Sequence, residues 1–335
     1  MRILAVDIGG TKSAVGLCKL GVTPGHATVS EVFGLMTFVS RDYRSLLDMI
    51  NNWQIQHRDL PFDAVGAGVA GPVVNGHVHL TNLGWDIDVA EISAAIQKPV
   101  RLCNDMQSHG WGILGLAPAQ RITLNKGKPA PGAKALIAAG TGLGEAIIGW
   151  DGKQHAPMPG EGGHASFSPN NELEDDLLKF LRQEYSDHVS WERVLGGFDG
   201  FRNLARFLAS HQKTRLPGYL TAQGDKPADW GAAIVGATDT FADSVLTLYA
   251  TLYGREAANL ALKCVPSGGV YIGGGIAPRI LPYLQKHFMT GFTEKGRFRE
   301  LLSGLPVHVI TDPLNGLKGA ALQFCQDILK KHPNL

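Results

Sequence analysis

The stretch Arg2-Ile-Leu-Ala-Val-Asp7-Ile-Gly-Gly-Thr-Lys12 decides the fold. An apolar run reaches a carboxylate; two glycines, a hydroxyl and an ammonium follow; residues 14–17 are apolar again. The pattern predicts strand, tight turn, strand. Gly9 and Gly10 lack a Cβ, so the turn can take positive φ and a phosphate can approach the backbone closely. Thr11 and Lys12 supply donors for phosphate oxygens. Asp7 repels a phosphate unless a cation lies between them, which points to hydrated Mg²⁺. A Walker A loop would need glycine at position 5, where Ala5 stands. The dinucleotide fingerprint would need a third glycine and a helix where a second strand follows. A plain hairpin turn in a buried sheet accounts for the same residues and stays open.

The composition bounds the rest. At 335 residues there is room for two domains of ordinary size. With 44% apolar and 18% charged residues the chain reads as globular, and its 42 glycines imply many tight turns. A formal charge of +1, with no basic cluster longer than Lys330-Lys331, argues against nucleic acid or a membrane surface as the main partner. No apolar stretch approaches the ~18 residues that span a bilayer, and no secretory leader is expected. Cys18, Cys103, Cys264 and Cys325 are scattered through apolar contexts without Cys-x-x-Cys spacing, so reduced core thiols and a cytoplasmic location are expected.

Outward from the opening hairpin, residues 21–27 read as a turn and 28–39 as a third strand. Residues 45–56 carry apolar side chains at helical spacing. A glycine-rich buried strand, 64–70, ends at Gly71-Pro72. Residues 73–80 read as a hairpin around Asn75-Gly76. A helix over 88–97, with Asp88 as its N-cap, stops at Pro99, and residues 100–103 form another strand. Beyond it come a helix (106–116), a loop (125–133), a strand (135–139), the turn Gly140-Thr-Gly-Leu-Gly144 and a strand (146–150). Gly140-Thr141 echoes Gly10-Thr11, a weak internal repeat that would place one phosphate-holding hairpin loop in each half of a duplicated α/β fold. Helices follow over 172–184, 198–211 and 238–264. Residues 269–272 form a strand, Gly273-Gly-Gly275 a turn and 278–287 a helix. The strand 307–310 and a helix over 316–330 close the chain. The mixture of an antiparallel hairpin with later β-α alternation predicts an α/β layer fold with mixed sheets.

Three further segments can carry chemistry. Asn104-Asp105 follows a buried strand, where open α/β sheets place ligands. The pair suits a polyhydroxylated ligand, and Asp105 suits a base for a hydroxyl; a helix N-cap accounts for the same residues. Pro159-Gly-Glu-Gly-Gly-His164 puts Glu161 and His164 on a glycine-rich loop. Two ligands without a nearby cysteine make a poor zinc site, so a grip on sugar hydroxyls and a solvated loop are the alternatives. Glu192, in Ser190-Trp-Glu-Arg-Val194, and Asn82 near Trp85 are polar groups that mean little alone.

Together these segments resemble the bacterial glucokinases of the hexokinase, actin-like ATPase superfamily. The matching residues are Asp7-Ile-Gly-Gly-Thr11, Leu80-Thr-Asn82, Leu102-Cys-Asn-Asp105, Gly140-Thr-Gly-Leu-Gly144, Pro159-Gly-Glu-Gly-Gly-His164, His188-Val-Ser-x-Glu-Arg-Val-Leu195, Gly273-Gly-Gly-Ile276-x-Pro278 and Glu294-Lys-Gly-Arg-Phe298. They come in order along most of the chain. No cysteine stands soon after His164, where Ser166 and Phe167 are found instead, unlike the zinc-binding ROK sugar kinases and repressors.

The resemblance implies a two-domain actin-like (ribonuclease H-like) sugar kinase fold with a cleft between domains. The smaller domain would span 1–105 plus 313–335 and the larger 106–312. It implies ATP-dependent phosphorylation of D-glucose at its 6-hydroxyl, with Asp105 as catalytic base. Asn82, Asn104, Glu161, His164 and Glu192 would bind the sugar. Gly9, Gly10 and Thr11, with Gly140, Thr141 and Gly142, would cradle the ATP phosphates, Asp7, Ile8 and Lys12 would belong to the same nucleotide site, and Gly274 and Gly275 would flank the adenosine. Asp7 would hold Mg²⁺ through water. Relatives are commonly homodimers, and the same is expected here. The rival readings are a kinase of another hexose on this fold and a non-catalytic sugar sensor.

Overall fold

The first strand, β1 (Arg2–Ile8), is buried along nearly its whole length, as a continuous apolar run requires. It feeds two opposite layers: Leu4, Val6 and Ile8 enter one core, Ile3 and Ala5 another. The computed structural model to which this strand belongs describes residues 1–23, 26–197, 199–222 and 227–324. The chain packs as two units. One holds residues 1–120, 154–159 and the chain from Asp312 onward; the other holds 121–153 and 160–311.

In the first unit, β1 is antiparallel to β2 (Lys12–Thr23), which pairs with the edge strand β3 (His26–Val39). On its other side β1 runs parallel to β4 (Ala64–Val69), and β4 runs parallel to β7 (Val100–Asn104). The sheet order is β3-β2-β1-β4-β7. One face is covered by the helix Leu46–Gln56, which buries Leu46, Met49, Ile50 and Trp53 and is capped by Ser45. The other face packs against Leu317, Ala320 and Ala321 of the helix Asn315–Leu322. That helix in turn packs closely on the helix Asp105–Leu114: a Cβ on Gly319 would lie 1.7 Å from the Ser108 carbonyl oxygen. This contact keeps Asp105–Leu114 in the first unit, which therefore runs past the boundary expected at 105.

Two expectations need correction here. The turn expected over 21–27 is shorter, because β2 continues to Thr23 and β3 starts at His26; residues 24–25 lie outside the described residues. The hairpin expected over 73–80 is instead a ribbon of β5 (His77–Leu80) with β6 (Trp85–Asp88). Asn75 (φ 51°) and Gly76 (φ 79°) do make a tight turn, but it closes only a single bridge, Val74 to His77.

In the second unit, β9 (Lys134–Ala139) is antiparallel to β10 (Leu143–Trp150) and parallel to β12 (Val270–Gly273). β12 is parallel to β13 (Val307–Ile310), which pairs with the unforeseen antiparallel strand β8 (Arg121–Asn125). The first unit's β2-β1-β4-β7 and this unit's β10-β9-β12-β13 share one topology: a hairpin whose first strand opens a parallel series. Gly140-Thr-Gly142 thus follows the first strand of its sheet as Gly9-Gly-Thr11 follows β1, but the turns differ: Gly9 N donates to the Lys12 carbonyl, Gly140 N to that of Gly142. One short strand, β11 (His155–Met158), lies in the first unit, where Pro157 accepts a hydrogen bond from the Gln107 amide.

The long helix Thr240–Cys264 runs under the second sheet with Tyr249 and Tyr253 fully buried. The Tyr253 hydroxyl accepts from Ala139 N at 3.0 Å, where β9 ends. The helix expected over 278–287 is longer and irregular: 3-10 turns at Ala277–Ile280, a wide π segment at Leu284–Phe288 and a final α turn at Met289–Thr293. The helix expected over 316–330 is Asn315–Leu322, and residues from 325 lie outside the described residues.

Candidate active site

Register places the first unit's site residues at the carboxyl ends of its parallel strands. Asp7 pairs with Gly68 and Gly68 with Cys103; Ile8 pairs with Val69 and Val69 with Asn104. Asp7, Ile8 and Asn104 thus stand at one end of the sheet, where such sheets bind ligands. The loop 9–12 is a tight turn, closed by Gly9 N to the Lys12 carbonyl at 3.1 Å. Ser40, fully buried, braces it: its hydroxyl donates to the Gly9 carbonyl at 2.7 Å and its N–H to that of Thr11 at 3.1 Å. Asn82 belongs here too, since a Cβ on Gly10 would lie 3.8 Å from its Nδ2.

Asn104 caps the helix Asp105–Leu114. Its Oδ1 accepts from Met106 N at 2.9 Å and Gln107 returns a bond to its N–H, a complete capping box. Its Nδ2 donates to the Gly71 carbonyl at 3.3 Å. The cap reading of Asn104 therefore holds. Asp105 is the first residue of that helix, half-buried, and its Oδ1 accepts from Met106 N at 2.8 Å.

Asp7 is half-buried, and desolvation raises its carboxyl above the usual range, against the lowering effect of His109. A Cβ on Gly316 would lie 2.6 Å from Asp7 Oδ2 and 3.0 Å from His109 Nε2, so the two groups face one another. Asn315 Nδ2 lies 3.2 Å from His109 Nδ1. An amide nitrogen can only donate, which assigns the imidazole proton to Nε2, toward Asp7. Among the described residues no group of three or more metal-binding side chains occurs. One carboxylate beside a glycine turn is nonetheless a donor set that fits Mg²⁺ when waters and substrate phosphates complete its shell.

The second unit gathers the other group. Short antiparallel contacts, Phe167 N to the Val189 carbonyl at 2.8 Å and Trp191 N to that of Ala165 at 3.0 Å, bring residues 164–167 beside 188–191. Trp191, 1% exposed, packs edge-on against Phe167 and anchors the turn that carries Glu192. As a result the His164 imidazole lies between two carboxylates, 3.9 Å from Glu161 Oε2 and 4.0 Å from Glu192 Oε1. Glu192 Oε2 accepts from Leu143 N at 3.0 Å and a Cβ on Gly142 would lie 2.2 Å from it, so one carboxylate ties the turn 140–143 to His164.

Gly140, Thr141, Gly275, Ile276, Val235 and Arg279 border a cavity of ≈ 340 Å³. The turn at Gly274 needs glycine: φ is +82° and a Cβ would lie 2.1 Å from the Ala139 carbonyl. The ends of β9 and β12 thereby meet at this cavity. Gly274 does not itself line it; Gly275 does. Ser40, His109 and Arg279 were not foreseen. Arg279 alone had a signal, a cation just past a triple glycine turn.

The two sheets of common topology, each with a glycine turn after its first strand, are the fold of sugar kinases of the actin-like ATPase class. A crystal structure of a glucokinase from an Antarctic psychrotroph shares it, with 28% identity, a TM-score of 0.81 and coverage of 97% of this chain and 99% of that one. So does a ROK family glucokinase from Streptomyces griseus, solved with glucose and AMPPNP, at 22% identity and a TM-score of 0.64 over 96% of this chain and 98% of that one. A family model described as Glucokinase matches residues 4–327. A glucokinase of Nostoc sp. is 38% identical over 340 residues, covering 96% of this chain and 98% of that protein. The chain belongs to the glucokinase family.

Proposed function

We propose that this protein transfers the γ-phosphoryl group of ATP to the 6-hydroxyl of D-glucose, with Asp105 as the base. The observation that carries the reading is the place of Asp105: the first residue of a helix at the carboxyl end of β7, in the sheet that also carries Asp7 and the 9–12 turn. Phosphoryl transfer needs positioning and charge neutralisation more than a strong base. An aspartate ionised at neutral pH orients the hydroxyl and takes its proton late.

Glu161, His164 and Glu192 hold the remaining hydroxyls; the His164 imidazole stands 3.9 Å from Glu161 Oε2 and 4.0 Å from Glu192 Oε1, so the three polar groups form one cluster. Asn82 and the Asn104 amide are proposed to bind the sugar as well. Gly9, Gly10, Thr11 and Lys12, with Gly140, Thr141 and Gly142, are the residues proposed to take the phosphates. The cavity beside Gly275 takes the adenosine, with Arg279 as a cation near the phosphates, and Gly274 shapes the turn that leads there. Asp7 would hold Mg²⁺, and the ion would neutralise charge on the phosphate oxygens. We also assign the smaller lobe to the first unit and the larger to the second, a homodimer by family analogy, and a cytoplasmic location at the entry to glycolysis. Among the described residues no helix is long and apolar enough to cross a membrane.

A coupled assay of ADP release over a panel of hexoses tests the reading. Glucose is expected to be the preferred acceptor, and Asp105→Asn to lower kcat by on the order of 10²–10⁴-fold with little change in the KM for ATP. Turnover surviving Asp105→Asn within tenfold would remove Asp105 as base. A different preferred sugar would favour the other-hexose reading. Glucose binding without any ADP release would favour the sensor.

A further inference from the structure

Beneath residues 160–164 lies an acid that the transfer reaction leaves unused. Glu145, on β10, is 3% exposed. A Cβ on Gly162 would lie 2.2 Å from Glu145 Oε2 and 2.9 Å from Glu145 Cβ. A Cβ on Gly163 would lie 1.9 Å from the Leu143 carbonyl oxygen. The two glycines therefore lie flat on the start of β10, with the Glu145 carboxyl directly below the peptide that joins Glu161 to His164. Glu256 of the helix Thr240–Cys264, 1% exposed, brings a second carboxyl close enough to feel the charge of Glu145. Neither oxygen of Glu145 meets a conventional donor among the described residues. Burial raises both carboxyls, and Glu256 feels the charge of Glu145 besides, so the pair keeps a proton at neutral pH.

We infer that Glu145, held in place by Glu256, is a positioning residue for sugar binding: the buried acid pair is the floor that fixes residues 160–164, and with them Glu161 and His164. The inference rests on the reading of those two as hydroxyl-binding groups. An apolar side chain would fill the same space without the cost of burying an acid. An acid pair instead offers one arrangement, and a loop of glycines has no side chains of its own to set its height.

The groups around the pair define its pH response. Glu256 faces Glu145 from β10 and Asn259 and Lys263 from its own helix; Asn259 Nδ2 donates to Glu256 Oε2 at 2.7 Å. Lys295 donates to Asn259 Oδ1 at 2.6 Å, and the Tyr253 hydroxyl feels the charge of Glu145. Desolvation, then the Glu145 charge, push Glu256 up to about 9. Below that pH the pair keeps its proton. Above it two like charges meet and the floor opens.

The test is the KM for glucose, the KM for ATP and kcat, measured on either side of pH 9 for the wild type, Glu256→Gln and Glu145→Leu. In the wild type the glucose KM is expected to rise on the alkaline side while the ATP KM stays flat. Glu256→Gln, whose amide donates to Glu145 at every pH, should keep the neutral glucose KM within about twofold and abolish the alkaline rise. Glu145→Leu should raise the glucose KM at neutral pH by about tenfold or more with kcat within about threefold, as a misplaced positioning loop does. An alkaline rise that persists in Glu256→Gln overturns the inference, and so does a normal glucose KM in Glu145→Leu. If Glu145→Leu fails to fold, the Glu256→Gln profile decides alone. A wild type that does not phosphorylate glucose takes down the parent reading as well, whereas active wild type with unmoved variants takes down only this one.

Discussion

Glu192 shows how one side chain can serve two loops. Its Oε2 fixes the Leu143 N–H and its Oε1 faces His164. A charge-assisted bond of this kind is worth about 1.5–3 kcal/mol, or roughly 10–100-fold in affinity. Glu192→Gln keeps an acceptor for Leu143 but removes the charge beside His164, so the glucose KM should rise by about tenfold while the ATP KM barely moves. Glu192→Ala removes both contacts, and the ATP KM should rise with that of glucose. Initial-rate kinetics with each substrate varied separates the two, and equal effects of both variants on both constants would contradict the shared role. Glu192 looked like an ordinary charge at a helix start. Its meaning depends on a partner 49 positions away, which no local pattern reveals. Glu145 was harder still: nothing in Gly144-Glu-Ala146 announces that Gly162 will lie on it. Asp7, Asp105, Glu161 and His164 stood out because glycines or strand ends flank them in sequence.

At the scale of elements, close helix contact is set by glycines. The helices Asp105–Leu114 and Asn315–Leu322 meet where a Cβ on Gly319 would lie 1.7 Å from Ser108 O and one on Gly112 would lie 2.2 Å from Asn315 O. The Ser108 hydroxyl donates to the Gly316 carbonyl at 2.7 Å across the same contact. Helix propensity alone would favour alanine over glycine by about 1 kcal/mol, so the sign of Gly319→Ala decides which effect wins. Overpacking is expected to win, with a net loss of about 1–3 kcal/mol. The melting temperature should fall, and kcat should fall with it because Asp105 starts the displaced helix. A higher melting temperature would show the contact to be loose. Elements of this kind were legible where they had a period or a glycine signature: the opening hairpin, the helix capped by Ser45, the strands ending at Gly140 and Gly274. The strand Arg121–Asn125 was not, because every residue but one is half-buried and no alternation results. β11 hides behind a proline, and β6 behind a four-residue run too short for any period.

The whole molecule carries separate cores in its two units, and the second contains a buried imidazole that reports on acid stability. His308, on β13, lies 3.0 Å from Thr123 Oγ1 through Nδ1 and packs its ring against Tyr271. Burial first, then the positive charges of Arg121 and Lys134, push it from 6.5 down to about 4. The folded chain therefore binds fewer protons at this site than the unfolded chain between those two values. Its contribution to stability is complete above pH 6.5 and is lost as the pH falls toward 4. The full loss would be at most about 3 kcal/mol. His308→Phe fills the same place with a ring that cannot take a proton. Urea midpoints at neutral pH and near the lower value should fall further for the wild type than for His308→Phe, whatever constant cost the substitution adds at both. Midpoints that shift in parallel would mean that His308 gains a proton in the folded sheet without penalty, and that the sheet edge β13-β8 opens to water more readily than its packing indicates.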